Sequence, residues 1–340
     1  MEAIGRLREI VTRVGNEHID PRSLKALWQL SISIGDWRTG LAAGMIAAQR
    51  DPMDARFSND VVQSLARCPA EALPPAELVK LPSPSALPSL SVILVSRDDA
   101  RHAAVSAEYD RAFAHWPHER IRIPDARSMY DGYARGFAAS HGELVIFSHD
   151  DIRFAVPDFA ARLADAFGGA DVIGVAGSTQ VIGPTLLWAG HPHLFGTVVH
   201  HDVGEAAYDF SLASLIGPRI DGAACVDGVF IAARREWIER VGFDPQTFRG
   251  FHFYDLDFSY RARLAGARVM IAADLGLIHR SRGRADEQWR IAQRAFAAKF
   301  GLERAPAAGK SHWYALQLPD ATAVTRAYAK LNAAWRLRLD

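Results

Sequence analysis

Leu144-Val-Ile-Phe147 is an uninterrupted apolar run, closed by Ser148 and then by His149, Asp150 and Asp151. A strand whose consecutive side chains are all apolar is buried on both faces, as in a mainly parallel sheet covered by helices. Such sheets bind ligands beyond the carboxyl ends of their strands. Carboxylates placed there are costly to keep ionised unless positive charge stands between them. A divalent cation carrying a phosphate meets that need.

The surrounding pattern supports this reading. Leu90-Ser-Val-Ile-Leu-Val95 is a second buried run, and Ser96-Arg97-Asp98-Asp99 leaves it as an exit loop. A helix over about 102–115, a strand over 120–123 and a helix over 128–140 lead to the strand that ends at His149. This β-α-β-α-β alternation predicts a parallel sheet with right-handed crossovers. Neither a Gly-x-Gly-x-x-Gly nor a P-loop signature follows the first strand, which removes the main support for a dinucleotide fold or a P-loop enzyme. Residues 170–235 are less regular. Segments 172–176 and 219–234, the latter broken at Asp227-Gly228, read as mixed strands, and 191–209 as a mobile flap. Trp289, Ala292, Phe296 and Phe300 form one stripe of a helix over 285–300.

Both flanks read as helical. Residues 1–80 carry apolar residues at helical spacing, among them Leu24, Leu27 and Trp28, then Leu41 and Met45, then Val61 and Leu65. Gly35-Asp36-Trp37, Ala47 and Asp51-Pro52 resemble one tetratricopeptide-type hairpin, and a plain helical cap on the main domain fits equally. Residues 81–89, rich in proline and serine, read as a linker, 90–300 as the main α/β domain, and 301–340 as a tail ending in a helix with Trp335, Arg336 and Arg338.

Composition excludes several classes. Lys+Arg and Asp+Glu both number 39, so no bulk charge draws the chain to nucleic acid. Cys68 and Cys225 are too few and too far apart for a disulfide framework or a zinc site, which points to a reducing compartment. Arg6, Arg8, Glu9 and Arg13 interrupt the N-terminus, so it lacks a signal-peptide apolar stretch, and no segment has the length of a membrane span.

Two clusters carry chemistry. In an extended strand, side chains at i and i+2 share a face. His149 and Asp151 therefore look into one cleft and Asp150 points away; Asp151 reads as a metal ligand, His149 as a ligand or a ribose contact. The second cluster is Gly250-Phe-His-Phe-Tyr-Asp-Leu-Asp-Phe258, continuing to Gly266. It reads as a helix with acids in its first turn, arginines in its last and a buried stripe of Phe253, Leu256, Tyr260 and Leu264. At about 100° per residue, Asp255 and Asp257 diverge by roughly 200°, so they cannot serve one site equally. Asp257 is placed to pair with Arg261 at i+4, a structural role. Asp255, nearer the helix N-terminus, is expected to be ionised and suited to act as a general base.

Here the chain resembles the inverting, GT-A-fold glycosyltransferases of family 2, and looks most like the branch containing the streptomycin-biosynthesis glycosyltransferase-like domain. The resemblance covers about 90–283 and rests on the Phe251–Phe258 segment with Gly266, on Val145-Ile-Phe-Ser-His-Asp-Asp-Ile152, and on Leu277-Ile-His279. It implies a Rossmann-like mixed sheet flanked by helices, with a small all-α N-terminal domain and a C-terminal helical tail beside it. By position, Asp151 matches the second Asp of the Asp-x-Asp metal motif, with His149 in place of the first. Asp255 matches the catalytic base, and Asp257 the helix acid that follows it. His279 matches the downstream histidine, a third ligand. Ser96, Arg97 and Asp98 match the loop that holds nucleobase and ribose, with Asp125, Arg127 and Asp150 lining the same pocket. Asp227-Gly228 matches the turn beside the donor sugar, a β-bulge being the other reading, and Arg282 would offset diphosphate charge. His252 and Arg261 support the site. The standard Asp-Gly-Ser signature after the second strand is absent.

The implied activity is transfer of a sugar from a UDP-, GDP- or TDP-sugar to an acceptor hydroxyl with inversion, assisted by Mn2+ or Mg2+, as in a hexosyltransferase. Glycan, lipid-linked, protein and small-molecule acceptors are all compatible with it, surface polysaccharide biosynthesis included. The histidine at position 149 motivates an alternative, a catalytically weak nucleotide-sugar-binding module that recruits a protein partner through its N-terminal helices. The expected location is the cytoplasm, including the inner face of the membrane; the tail helix is expected to pack on the body, with peripheral contact to a membrane or partner as the alternative.

Overall fold

A computed structural model describes residues 19–202, 204–283, 285–302 and 312–339. The N-terminal segment read above for its lack of a signal stretch lies outside the described residues, as does part of the tail. The described residues open with three helices, α1 (Pro21–Ser33), α2 (Trp37–Arg50) and α3 (Ala55–Arg67). Asp20, Asp36 and Asp54 cap them, each carboxylate accepting from amides of the first turn. Gly35 turns the chain between α1 and α2 at φ 80°, a left-handed conformation open to glycine at little cost.

The main body begins with β1 (Leu90–Val95), α4 (Asp99–Ala112), β2 (His118–Ile123), α5 (Met129–Ala138), β3 (Leu144–Ser148), β4 (Ile152–Phe154) and α6 (Phe159–Ala166). Short strands β5 (Val172–Gly174) and β6 (Ala176–Ser178), helix α7 (Leu186–Ala189), and strands β7 (Leu194–His200), β8 (Tyr208–Leu212), β9 (Arg219–Asp221), β10 (Cys225–Val226) and β11 (Phe230–Arg234) follow. The chain then forms α8 (Arg235–Val241), α9 (Tyr254–Leu264), β12 (Val269–Ala272), β13 (Leu277–His279), α10 (Glu287–Phe300), β14 (Tyr314–Leu318) and α11 (Ala321–Ala334).

The mixed α/β architecture expected from the sequence is the one observed. One sheet runs β2-β1-β3-β11-β5-β12-β9. Its first three strands are parallel, and β11 enters antiparallel between β3 and β5. All five residues of β3 are buried, as its apolar run requires. Helix α5 lies close on β1 because Gly132 and Gly136 face it; a Cβ at either would fall within 2.4 Å of Val95 or Ile93. A second sheet runs β10-β6-β7-β13-β4, with β8 and β14 extending it from β7. Residues 191–209, expected to be a flap, instead contribute β7 and the start of β8, an antiparallel pair built into this sheet.

The N-terminal helices, β8, β14 and α11 close on one another. Leu24, Leu41 and Val61 share an apolar core with Leu90, Leu144, Val199 and Tyr328. Lys330 Nζ donates to Ala66 O at 2.9 Å, and Trp335, buried, donates through its indole to Leu215 O at 3.2 Å. The end of the tail is thus packed on the body. No helix among the described residues is long and apolar enough to cross a membrane.

Candidate functional site

Three strand ends meet where β3 stops. The His149 amide continues the β3–β11 ladder by donating to Val229 O at 3.2 Å, which puts the Asp227-Gly228 turn beside it. Strand β13 pairs antiparallel with β4, so His279 lies opposite Ile152, and the Arg280 amide donates to Asp151 O at 2.9 Å. His279 Nε2 is consequently 3.1 Å from His149 Nδ1 and 3.3 Å from Asp151 Oδ1. The latter two atoms are 4.0 Å apart. Each residue offers one ligand atom, all within 4.8 Å of one another. Asp150 points the other way, accepting from Ser96 Oγ at 2.7 Å.

The electrostatics of the cluster fit a cation. Burial disfavours charge on Asp151, but the hydrogen bond and charge of His279, the Ser281 hydroxyl and His149 outweigh it, holding the carboxyl well below its usual range. Burial, and next the neighbouring His279, push His149 down to about 4, so its imidazole is neutral at neutral pH. Neutral imidazole and ionised carboxylate are the forms in which these groups bind metals. The donor set therefore suits a divalent ion. His200, paired with His279 across β7 and β13, extends the cluster; its ring centre is 5.7 Å from that of His279 and its Nδ1 3.3 Å from Ser281 O.

Helix α9 brings the second group of residues. It starts at Tyr254 rather than near Gly250, because Phe253 adopts a left-handed conformation at φ 66°. That costs on the order of 1 kcal/mol for a side-chain-bearing residue. Buried contacts of its ring with Trp289 (5.6 Å) and Phe296 (5.5 Å) hold it there. The kink turns the first helical turn inward, so Tyr254, Asp255, Leu256 and Asp257 are all buried. Leu264, expected on the buried stripe, is 63% exposed, since it ends the helix beyond its last buried residue, Ala262.

Asp255 and Asp257 have separate surroundings. Asp257, fully buried, meets Arg261 Nη2 at 2.7 Å and Lys299 Nζ at 2.5 Å. Asp255 Oδ2 accepts from the Gly228 amide at 2.8 Å. Proximity to the helix N-terminus suggested an ionised Asp255; burial first, and then the Asp227 carboxylate, instead push it up to about 7. Together they outweigh the backbone hydrogen bonds at the helix start, which favour the ionised carboxylate.

The remaining expected residues lie around this centre in varied company. Asp98 caps α4, accepting from the Arg101 amide at 2.8 Å. Arg97 donates to Ala126 O and lies over the exposed Phe251 ring at 5.4 Å. Asp125 pairs with Arg135 and Arg127 with Asp131, each at 2.7 Å. Arg282 is held among Asp202, Glu205 and Asp209 at 3.3–3.6 Å, in the β7–β8 region. His252 Nε2 is 3.5 Å from Asp286 Oδ1. Asp227 Oδ1 accepts from the Val229 amide at 2.9 Å, a tight turn of the chain between β10 and β11.

Sequence reasoning missed Tyr254, whose hydroxyl is 2.8 Å from His149 Nε2 and donates to Gly228 O at 2.9 Å. Its only sequence signal is its place immediately before Asp255. It also missed His200, whose approach to His279 depends on strand pairing alone.

Residues 113–301 match the sequence model of a glycosyltransferase-like family, more than half of the chain. The chain belongs to that glycosyltransferase-like family. No curated protein matches it. Among solved structures, the mannosyltransferase PcManGT from Pyrobaculum calidifontis, in complex with GDP-Man and Mn2+, is 13% identical, with 86% of this chain and 81% of that one covered at a TM-score of 0.39. Mannosyl-3-phosphoglycerate synthase from Rubrobacter xylanophilus is 14% identical, with 77% and 98% covered at a TM-score of 0.40. Within this glycosyltransferase-like chain, the strand-end cluster and the head of α9 both lie inside the matched segment.

Proposed function

We propose that this chain transfers a sugar from a nucleotide-sugar donor to an acceptor hydroxyl with inversion, with Asp255 as general base. The observation that carries the reading is the Asp255 carboxyl itself. It is buried, held through Oδ2 by the Gly228 amide, and pushed up to about 7, where a carboxylate is basic enough to take a hydroxyl proton and is still about half ionised at neutral pH. The Gly228 contact fixes the orientation of the carboxylate toward the acceptor.

His149, Asp151 and His279 would hold a divalent ion, which when bound supplies positive charge against that developing on the departing nucleoside diphosphate. Two imidazole nitrogens favour Mn2+ over Mg2+, which prefers oxygen ligands and retains its water. The aspartate at 151 brings the negative charge, kept ionised chiefly by His279 and the Ser281 hydroxyl. Ser96, bonded to Asp150, and Arg97, stacked on Phe251, stand at the end of β1 where the nucleoside would lie.

The test is Asp255→Asn with a panel of UDP-, GDP- and TDP-sugars followed by mass spectrometry. Transfer by the unaltered protein, abolished in the variant while nucleotide binding persists by calorimetry, supports the reading. Turnover preserved in the variant removes Asp255 from the role of base. Binding with no transfer by either protein favours a nucleotide-sugar-binding module.

A further inference from the structure

We propose that Tyr254 is a positioning residue that fixes the tautomer of His149, with the proton on Nε2 and the Nδ1 lone pair facing Asp151 and His279. The inference rests on the metal-site reading above for its consequence, and on hydrogen-bond accounting for its substance. The Tyr254 hydroxyl lies between the Gly228 carbonyl at 2.9 Å and His149 Nε2 at 2.8 Å, with the Tyr133 hydroxyl approaching it as well. A hydroxyl carries one proton. A carbonyl oxygen can only accept, so donation toward His149 would leave two oxygens facing each other at 2.9 Å with no hydrogen between them, in a buried site. The arrangement that satisfies the carbonyl and the imidazole sends the tyrosine proton to Gly228 O and the Nε2–H of His149 to the tyrosine oxygen, whose second lone pair stays open to the Tyr133 hydroxyl. A neutral imidazole protonated at Nε2 presents its lone pair at Nδ1. That atom is the one 3.1 Å from His279 Nε2 and 4.0 Å from Asp151 Oδ1.

Gly228 ties this to the base. Its carbonyl holds Tyr254, its amide holds Asp255, and Tyr254 and Asp255 are consecutive at the head of α9. One glycine therefore sets the orientation of the ligand histidine and of the carboxylate together. The Tyr254 ring is itself fixed, crossing Tyr133 at 5.3 Å and Tyr130 at 6.4 Å.

The experiment uses the full chain with 15N-labelled histidine and long-range 1H–15N correlation, the His149 signals being assigned by their loss in His149→Gln. Without metal, the unaltered protein is expected to show His149 as the Nε2–H tautomer; a proton on Nδ1 overturns the proposal outright and needs no variant. Tyr254→Phe keeps the ring and deletes the hydroxyl. His149 should then lose its single-tautomer signature, and the Mn2+ dissociation constant, read by electron paramagnetic resonance, should rise about 10- to 100-fold, the usual effect of removing a partner that orients a ligand histidine. An unchanged tautomer and unchanged Mn2+ affinity in a folded Tyr254→Phe overturn it. Failure of the unaltered protein to bind Mn2+ while His149 is still Nε2-protonated supports the tautomer assignment and overturns the metal-site reading instead.

Discussion

Gly228 touches Asp255 through its own amide, N to Oδ2 at 2.8 Å, and has no space for a side chain where it does so. A Cβ at this position would lie 2.2 Å from Tyr254 Oη, 2.6 Å from its Cζ and 2.9 Å from Asp255 Cβ. Each of these atoms is buried at the start of α9, so neither neighbour can swing aside cheaply. Gly228→Ala should therefore displace Tyr254 and Asp255 together. We expect transfer to fall by about 100-fold or more, as a misplacement of roughly 1 Å can do. Overpacking should cost about 1–3 kcal/mol of stability. Initial rates and urea unfolding check the two halves; a variant with normal rate shows that the carboxylate can be held without this contact.

The elevated Asp255 fixes the sign of two pH dependences. As a base it must be ionised, so kcat/KM should climb with unit slope below about 7 and level off above it. Stability should move the opposite way. The native state binds this proton more tightly than an unfolded chain with a carboxyl near 3.8, so the stabilising contribution is complete below that value. It is lost as pH rises through about 7. Urea midpoints of the unaltered protein, compared with Asp255→Asn between pH 5 and 8, isolate this contribution. A difference between the two proteins that grows with pH in favour of the unaltered one contradicts the assignment.

What could be read in advance follows from how local each cause is. The buried strand Leu144–Phe147 was legible because its apolar run needs no knowledge of the partner strands, and the separation of His149 from Asp150 follows from strand alternation alone. The Asp257–Arg261 pair was legible because helical geometry places i and i+4 together. The contact between His149 and Tyr254 spans 105 residues and exists only because β11 runs antiparallel beside β3. The convergence of His279 on Asp151 needs β13 to lie against β4, two three-residue strands with little periodicity to announce them. The start of α9 was misread for a non-local reason. The left-handed turn at Phe253 is set by packing on Trp289 and Phe296, from a helix later in the chain.

Replacing the imidazole at the strand end tests the donor set. His149→Asp exchanges a borderline nitrogen for a hard anionic oxygen beside Asp151, which raises the attraction for Mg2+ more than for Mn2+. It also removes the donor to the Tyr254 hydroxyl. The expected outcome is a Mn2+-to-Mg2+ affinity ratio lowered by about 10-fold, measured by competition calorimetry. Equal ratios in the two proteins would mean that His149 does not touch the ion.

Asp257 offers the contrasting case, a carboxylate two residues from the proposed base whose work is structural. It is fully buried, and it neutralises both Arg261 and Lys299, themselves about one-fifth exposed. Lys299 also reaches Asp244 at 2.7 Å, so the acid links α9, α10 and the loop after α8. Asp257→Asn leaves two partly buried cations short of a counter-charge. Removing one member of a buried ionic cluster costs roughly 3–5 kcal/mol, the upper end applying to fully enclosed partners. The expected loss is therefore about 3 kcal/mol by urea unfolding, with the pH profile of transfer still governed by a group near 7. Differential scanning calorimetry and kcat/KM against pH, run on the same preparation, separate the roles: a shifted profile without loss of stability would move Asp257 into the reaction itself.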